Sequence, residues 1–311
     1  MDTQKGSSKL SATLLALILG ASVFMAGQVW AAKYVTDPAT GKTWTAPEYG
    51  GTLTWATKNF PKSTDVWSAG GWAPHFISAV IERMVIADWA LPREMSGTLN
   101  WDYTPGPEMY RGGLAESWSM PDDTTWIWNI RQGVNWHDKA PVNGREFDAD
   151  DVVWNFHRYF GMGDFTEDGP SPQGGIVGNL EFLSVTATDK WTVELKLTKP
   201  QANVVKQLLH SMIWMYPPEV LEEDGGFEDW RNLVGTGPYR LTDHVKGSSA
   251  TWEKNPNYWG VDEKFGNRLP YIDELRSLMM PDVSTRLAAL RTGKIDILTN
   301  TGDAHIANID N

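Results

Sequence analysis

The stretch GLAESWSMPDDTTWIWNIRQGVNWHDKAPVNGREFDADDVVWNFHRYF, residues 113–160, decides the fold of this chain. Thr125–Arg131 alternates, with Trp126, Trp128 and Ile130 on one face and Ile127, Asn129 and Arg131 on the other. That period predicts a half-buried strand. Gln132-Gly133 breaks it, and an ordered loop follows. Asp148 stands where it can cap a helix, with Asp150 and Asp151 in the first turn. Carboxylates there meet free backbone N–H groups and the positive end of the helix dipole. Val152, Val153, Phe156, Tyr159 and Phe160 then recur at helical spacing on one side. Read by physics alone, the block is a well-specified piece of core and names no chemistry.

The pattern "GLAESW…W.W.IR.GV.WHD…NG..F.ADDVVW.F" within it resembles the signature block of the family 5 extracellular solute-binding proteins, the peptide- and nickel-type receptors of ABC importers. Two further runs resemble the same family in the same order. They are VGTGPYRL with NPNYWG, between Val234 and Gly260, and "R..AL..GKIDI" near the end. A GGTL.W strand at Gly50–Trp55 is similar to the start of the family's first domain. The resemblance covers nearly all of Gly50–Leu298.

Length and composition are compatible with that. The chain has 311 residues and a net charge of −12, enough for two domains with a real core. The acidic balance argues against a nucleic-acid partner, which needs a basic stripe, and against an anionic membrane surface. There is no cysteine, which excludes thiolate metal sites, thiol nucleophiles and a lipid-modified cysteine. The 17 tryptophans read either as core and interface packing or as a wide stacking pocket.

Outward from the block, Met1–Ala31 reads as a secretory signal: Lys5 and Lys9, an apolar run Leu10–Ala26, and Val29-Trp30-Ala31 as a cleavage site with the cut after Ala31. An uncleaved anchor is the alternative. The expected compartment is the periplasm. Residues 32–49 read as a tether or surface loop. Thr52–Thr57 is a strand, Lys58–Gly71 a loop, and Pro74–Met84 a helix with Ile77, Val80, Ile81 and Met84 on one face. Leu91–Arg111 is an irregular excursion. Leu180–Thr198 is a hairpin, Gln201–Met212 a helix, and Pro217-Pro218 starts a shorter one. Strands follow at Tyr239–His244, Ala250–Lys254, Ile272–Met279 and Ile295–Leu298, with a helix Asp282–Arg291 before the last.

No G-x-S-x-G elbow, P-loop, H-E-x-x-H or dinucleotide fingerprint occurs, so no catalytic residue, cofactor or metal ligand is assigned. His137-Asp138 and His157 are weak candidates for a base. Asp164–Gly169 resembles the start of a calcium loop, but the twelfth position is Gly175 where a bidentate Glu is required.

The resemblance implies an α/β, bilobal periplasmic-binding-protein-like fold with an inserted subdomain in the first lobe. Lobe I would be Gly50–Ser63 and Val185–Leu278, the insert Thr64–Ser184, and Met279–Asn311 the start of an incomplete second lobe. Family members are considerably longer, so a fragment is expected, and one that aggregates or stays partly unfolded when alone. The implied function is an extracytoplasmic receptor that closes on oligopeptide or dipeptide as a monomer and delivers it to an inner-membrane permease and its ATPase. An oligosaccharide receptor or a non-transporting sensor on the same fold are the alternatives; a periplasmic hydrolase lacks identifiable machinery. In the family the loop after the first strand reaches the ligand cleft. The candidate ligand residues are therefore Phe60, Trp67 and Trp72 on that loop, with Thr236 in the VGTGP turn and Asn300 beyond the last strand. For the three aromatics, packing of the loop is the competing reading.

Overall fold

The structure, a computed structural model, describes residues 34–36, 41–67, 74–88, 91, 107–172, 180–202, 204–209 and 213–298. The signal segment, Trp72 and Asn300 lie outside them.

The alternation in residues 125–130 forms a strand in a four-stranded antiparallel sheet. Its members are β6 (Ala115–Asp122), β7 (Thr125–Ile130), β8 (Phe182–Asp189) and β9 (Thr192–Leu197), in the order β6-β7-β9-β8. Trp126 lies opposite Leu195 and Trp128 opposite Val193, so both pairs share a face, and all four side chains are buried. Helix α2 (Ala149–Phe160) packs on this sheet through Val152, Phe156 and Tyr159. Asp148 caps it by accepting from the Asp150 N–H, and Asp151 reaches back to the Asp148 N–H, closing a capping box. Gly161 ends it in the left-handed conformation, φ 65°.

The second sheet has five strands in the order β10-β11-β12-β3-β13: β3 (Thr52–Thr57), β10 (Tyr239–Val245), β11 (Ser249–Lys254), β12 (Glu274–Met279) and β13 (Ile297–Leu298). β11 runs antiparallel to both of its neighbours, β10 and β12, while β12 and β13 flank β3 in parallel. Trp55 and Trp252 stack across it at 5.3 Å between centroids. Helix α4 (Val283–Arg291), capped by Asp282, follows β12. A small core cluster of Ala56, Ala289 and Ile295 forms beside the main one.

Four expectations change. The boundary at residues 184/185 would divide β8, and lobe I would take β9; the pairing of β9 with β7 instead carries the whole hairpin 182–197 into the sheet of the signature block. The expected tether holds a hairpin, β1 (Tyr34–Thr36) on β2 (Thr43–Thr45), with the Lys42 and Lys264 ammonium groups 3.7 and 4.2 Å from the Trp44 ring centroid. The helix expected over 74–84 is one turn only, α1 (Pro74–Ile77), followed by a short strand β4 (Val85–Ala87), which pairs with β5 (Tyr110–Gly112). The reason is that other segments take the carbonyls a helix would use. Ala79 accepts from Tyr239 and Val80 from Gly237, where a helix continuing to Met84 would pair them with Arg83 and Met84. Ile77, Val80, Ile81 and Met84 are nevertheless buried together. Finally, the short helix expected from Pro217-Pro218 is a 3-10 turn, Pro218–Glu222, whereas the helix expected over 201–212 is present in its described part as α3 (Val204–Leu209), residues 203 and 210–212 lying outside the described set.

Candidate functional site

Parallel strands make one end of a sheet special: in open α/β sheets, ligands bind in crevices outside the carboxyl ends. Here those ends belong to β12, β3 and β13. The Thr57 carbonyl accepts from the Met280 N–H at 2.8 Å, which ties the two exits together, and Asp282 caps α4 just beyond. The loop leaving β3 starts at this edge and carries Phe60 and Trp67.

Packing fixes both aromatics. Phe60 is half-buried and meets Phe76 and His244 edge-on at 5.8 and 5.3 Å. Trp67 is 3% exposed, with its ring 4.0 Å from Tyr159 of α2. Between them Thr64 donates to the Phe227 carbonyl at 2.6 Å, and its own carbonyl accepts from the Tyr216 hydroxyl at 2.7 Å. Asp65 accepts from Arg158 at 2.7 Å, and the Arg158 guanidinium lies 4.8 Å from the Phe227 ring centroid. The loop is therefore pinned to the helix of the other sheet. A cavity of about 350 Å³ opens beside it, lined by Asp65, Trp67, Arg158, Phe165, Pro170 and Leu221.

Thr236 is somewhere else. It is 1% exposed and its hydroxyl donates to Glu82 Oε2 at 2.9 Å. Glu82 also accepts from the Tyr258 hydroxyl and the Trp259 indole N–H, each at 2.9 Å. Burial pushes its carboxyl up to about 7, against the opposing pull of those hydrogen bonds and of Arg131. Asn255 adds a bond to the Gly237 carbonyl at 3.1 Å. The VGTGP turn, the NPNYWG loop and residues 79–84 thus form one joint around a buried acid, and Thr236 serves it. Thr236 shares no partner with Phe60 or Trp67.

His137 belongs to the same joint. Its Nε2 lies 2.9 Å from the Gly237 carbonyl, while the Gly235 N–H reaches Nδ1 at 3.4 Å. Those partners require the neutral Nε2–H tautomer. Burial, the largest influence, pushes its pKa down to about 4 and favours that form. The His157 ring nitrogen lies 3.1 Å from the Val185 carbonyl. Both imidazoles are held by backbone and neither faces a nucleophile. Among the described residues no group of three or more His, Asp or Glu could hold a metal. No helix among them is long and apolar enough to cross a membrane.

Sequence reading missed Glu82, Asp65, Arg158 and Arg145. Arg145 clamps Asp151 through two bonds at 2.6 and 2.8 Å, pairs also with Glu219, and Trp136 donates to the same Asp151. The available signal was a charge set among apolar residues, as Glu82 is within Ile77–Met84, because such a charge requires partners.

The family model described as bacterial extracellular solute-binding proteins, family 5 Middle, matches residues 110–311. Among curated relatives, the dipeptide-binding protein of Escherichia coli K12 is 28% identical over 222 residues, covering 63% of this chain and 37% of that protein. The periplasmic oligopeptide-binding protein OppA of Salmonella typhimurium is 26% identical over 240 residues, covering 73% and 40%. Among solved structures, the periplasmic binding protein DppA of Helicobacter pylori in complex with the peptide STSA superposes with a TM-score of 0.66 at 23% identity, over 85% of this chain and 49% of that one. The chain spans about two fifths of the length of these curated relatives.

Proposed function

The chain belongs to the bacterial extracellular solute-binding proteins of family 5, and on that premise we propose that it is the receptor component of an ABC importer, binding oligopeptide or dipeptide and presenting it to a membrane permease. The observation that carries this reading is the family match itself, over residues 110–311. The relatives, a dipeptide- and an oligopeptide-binding protein, support peptide as the ligand class.

In this reading the ligand lies at the carboxyl-end edge of β12, β3 and β13, between this sheet and a second lobe entered beyond β13 and not at Met279, since α4 and β13 pack and pair with β3. Phe60, Trp67 and Trp72 come from the loop that leaves β3, and Asn300 follows β13 by two residues. Thr236, held in the Glu82 joint, is a further candidate on the family resemblance alone. The inserted unit includes the hairpin 182–197. Ligand shifts the population toward a closed form, and the permease reads that form. The relatives' periplasmic setting and the Met1–Ala31 pattern support export with a cut after Ala31. The tryptophan argument for a sugar platform loses ground, because Trp126, Trp128, Trp136, Trp214 and Trp252 are core.

Native mass spectrometry of the full-length protein isolated from its own cell envelope tests the proposal. Released ligands should form a mass ladder set by amino-acid residues. Masses spaced by hexose or pentose units would overturn the peptide assignment while keeping the receptor reading. A protein that neither carries nor binds a small solute would overturn the receptor reading itself.

A further inference from the structure

A second recess lies at the opposite end of the five-stranded sheet. Glu253 at the end of β11 sits beside Glu274, the first residue of β12, and Glu274 sits beside Thr52, the first residue of β3. The loop that leaves β11, Asn255–Gly260, is therefore at the amino ends of the parallel strands, away from the edge discussed above. Between that loop and the start of β6 runs a groove of about 650 Å³, lined among others by Glu116, Arg131, Tyr258, Trp259 and Arg268.

Two features set this groove apart. The chain is strongly acidic, yet the groove brings together two arginines that have no carboxylate partner among the described residues. One of them is preorganised. Arg131 donates from Nε to the Gly113 carbonyl at 2.9 Å, and its guanidinium lies 4.8 Å from the Trp259 ring centroid. Those contacts fix the plane of the fork and leave its two terminal nitrogens without a hydrogen-bond acceptor among the described residues. Glu82, hydrogen-bonded to the Trp259 indole, feels the Arg131 charge but makes no ion pair with it, and the Thr236, Tyr258 and Trp259 donors satisfy it. Arg268 is exposed on the same groove; its backbone bridges Val261 and its carbonyl accepts from the Tyr49 hydroxyl at 2.7 Å, while its guanidinium has no hydrogen-bond acceptor among the described residues.

We propose that this groove is an anion-binding site, separate from the edge assigned to the transported solute, for a small ligand carrying a carboxylate or phosphate group. A rigid guanidinium with a free fork matches either group bidentately, and the exposed second arginine can close on it. The indole and phenol of Trp259 and Tyr258 supply a flat wall for the rest of the ligand. Glu116, exposed on the same groove, opposes a bare anion, so its neutralisation provides a test of opposite sign.

The experiment is calorimetric titration of the full-length protein, at low ionic strength in a chloride buffer, with inorganic phosphate and separately with citrate. Saturable binding in the millimolar range is expected for at least one of them. Arg268→Gln should weaken it by about tenfold, the loss of one charge-assisted partner. Glu116→Gln should strengthen it by roughly threefold, and added salt should weaken it. Both substituted side chains are exposed, so the melting temperature should stay unchanged and rule out misfolding as the cause. Response to phosphate alone would assign a phosphoryl ligand, and response to citrate alone a carboxylate. Failure of both to saturate, or a titration indifferent to Arg268→Gln, overturns the site.

Discussion

Glu82 and His137 sit in one joint and are pushed in opposite directions by the same cause, burial. Glu82 rises from the usual 4.5 to about 7, and His137 falls from the usual 6.5 to about 4. A raised carboxyl favours the folded state while protonated, so its stabilising share is complete below 4.5 and is lost as pH climbs to about 7. A depressed imidazole contributes stability that is complete above 6.5 and is lost as pH falls toward 4. From about 4.5 to 6.5 the two slopes oppose each other, and the shifts are of similar size. The wild-type stability contributed by this joint should therefore be nearly flat over that window. Glu82→Gln removes one slope and keeps a hydrogen-bonding group of the same shape. Its melting temperature, measured at several pH values, should climb between 4.5 and 6.5 relative to wild type, by the equivalent of about 2–3 kcal/mol. A parallel pair of pH profiles would sink the account.

At the scale of elements, two kinds of specification meet. Helix α2 is specified locally: Asp148 and Asp151 close its first turn, and Gly161 closes its last. Asp148→Ala should cost about 1 kcal/mol in urea unfolding, an ordinary cap loss. Segment 79–84 is specified from outside, because the VGTGP turn lies against it with no room for a side chain. A Cβ on Gly235 would stand 1.8 Å from the Val80 carbonyl oxygen, and one on Gly237 would stand 2.6 Å from it. Backbone must move to admit it, so Gly235→Ala should cost about 3 kcal/mol or more, well beyond the cap. Equal midpoints for the two variants would mean that the turn does not dock as described.

The whole molecule has an uneven core. The main cluster unites both sheets through large side chains, including Trp126, Trp128, Trp136, Trp252, Phe147 and Phe156. On β3, β13 and α4 the second cluster is Ala56, Ala289 and Ile295, with Leu278, Met280, Leu290 and Leu298 against it. At about 25 cal/mol per Å² of apolar area, small side chains stabilise their element far less than buried indoles do. Hydrogen exchange should consequently release α4 and β13 by local opening well before β7 and β9. Uniform protection across these four elements would show that the chain opens as a single unit.

The sequence alone determined what is local or periodic. The face of β7, the Asp148 cap of α2, the hairpin 182–197 and the β10–β11 pair were legible because alternation, capping residues and turn residues act within a few positions of one another. Family membership was legible for the same reason, in motifs whose residues recur at fixed spacing. Tertiary structure decided three other things. It ended α1 at Ile77, since distant N–H groups claim the carbonyls that helical periodicity alone would have paired. It gave the hairpin to the sheet of β7, since partner choice between strands depends on which apolar faces meet, not on spacing along the chain. It turned Thr236 and His137 from isolated polar residues into donors and acceptors of one joint around Glu82, because a buried charge finds its partners through space, across 154 residues in the case of Thr236.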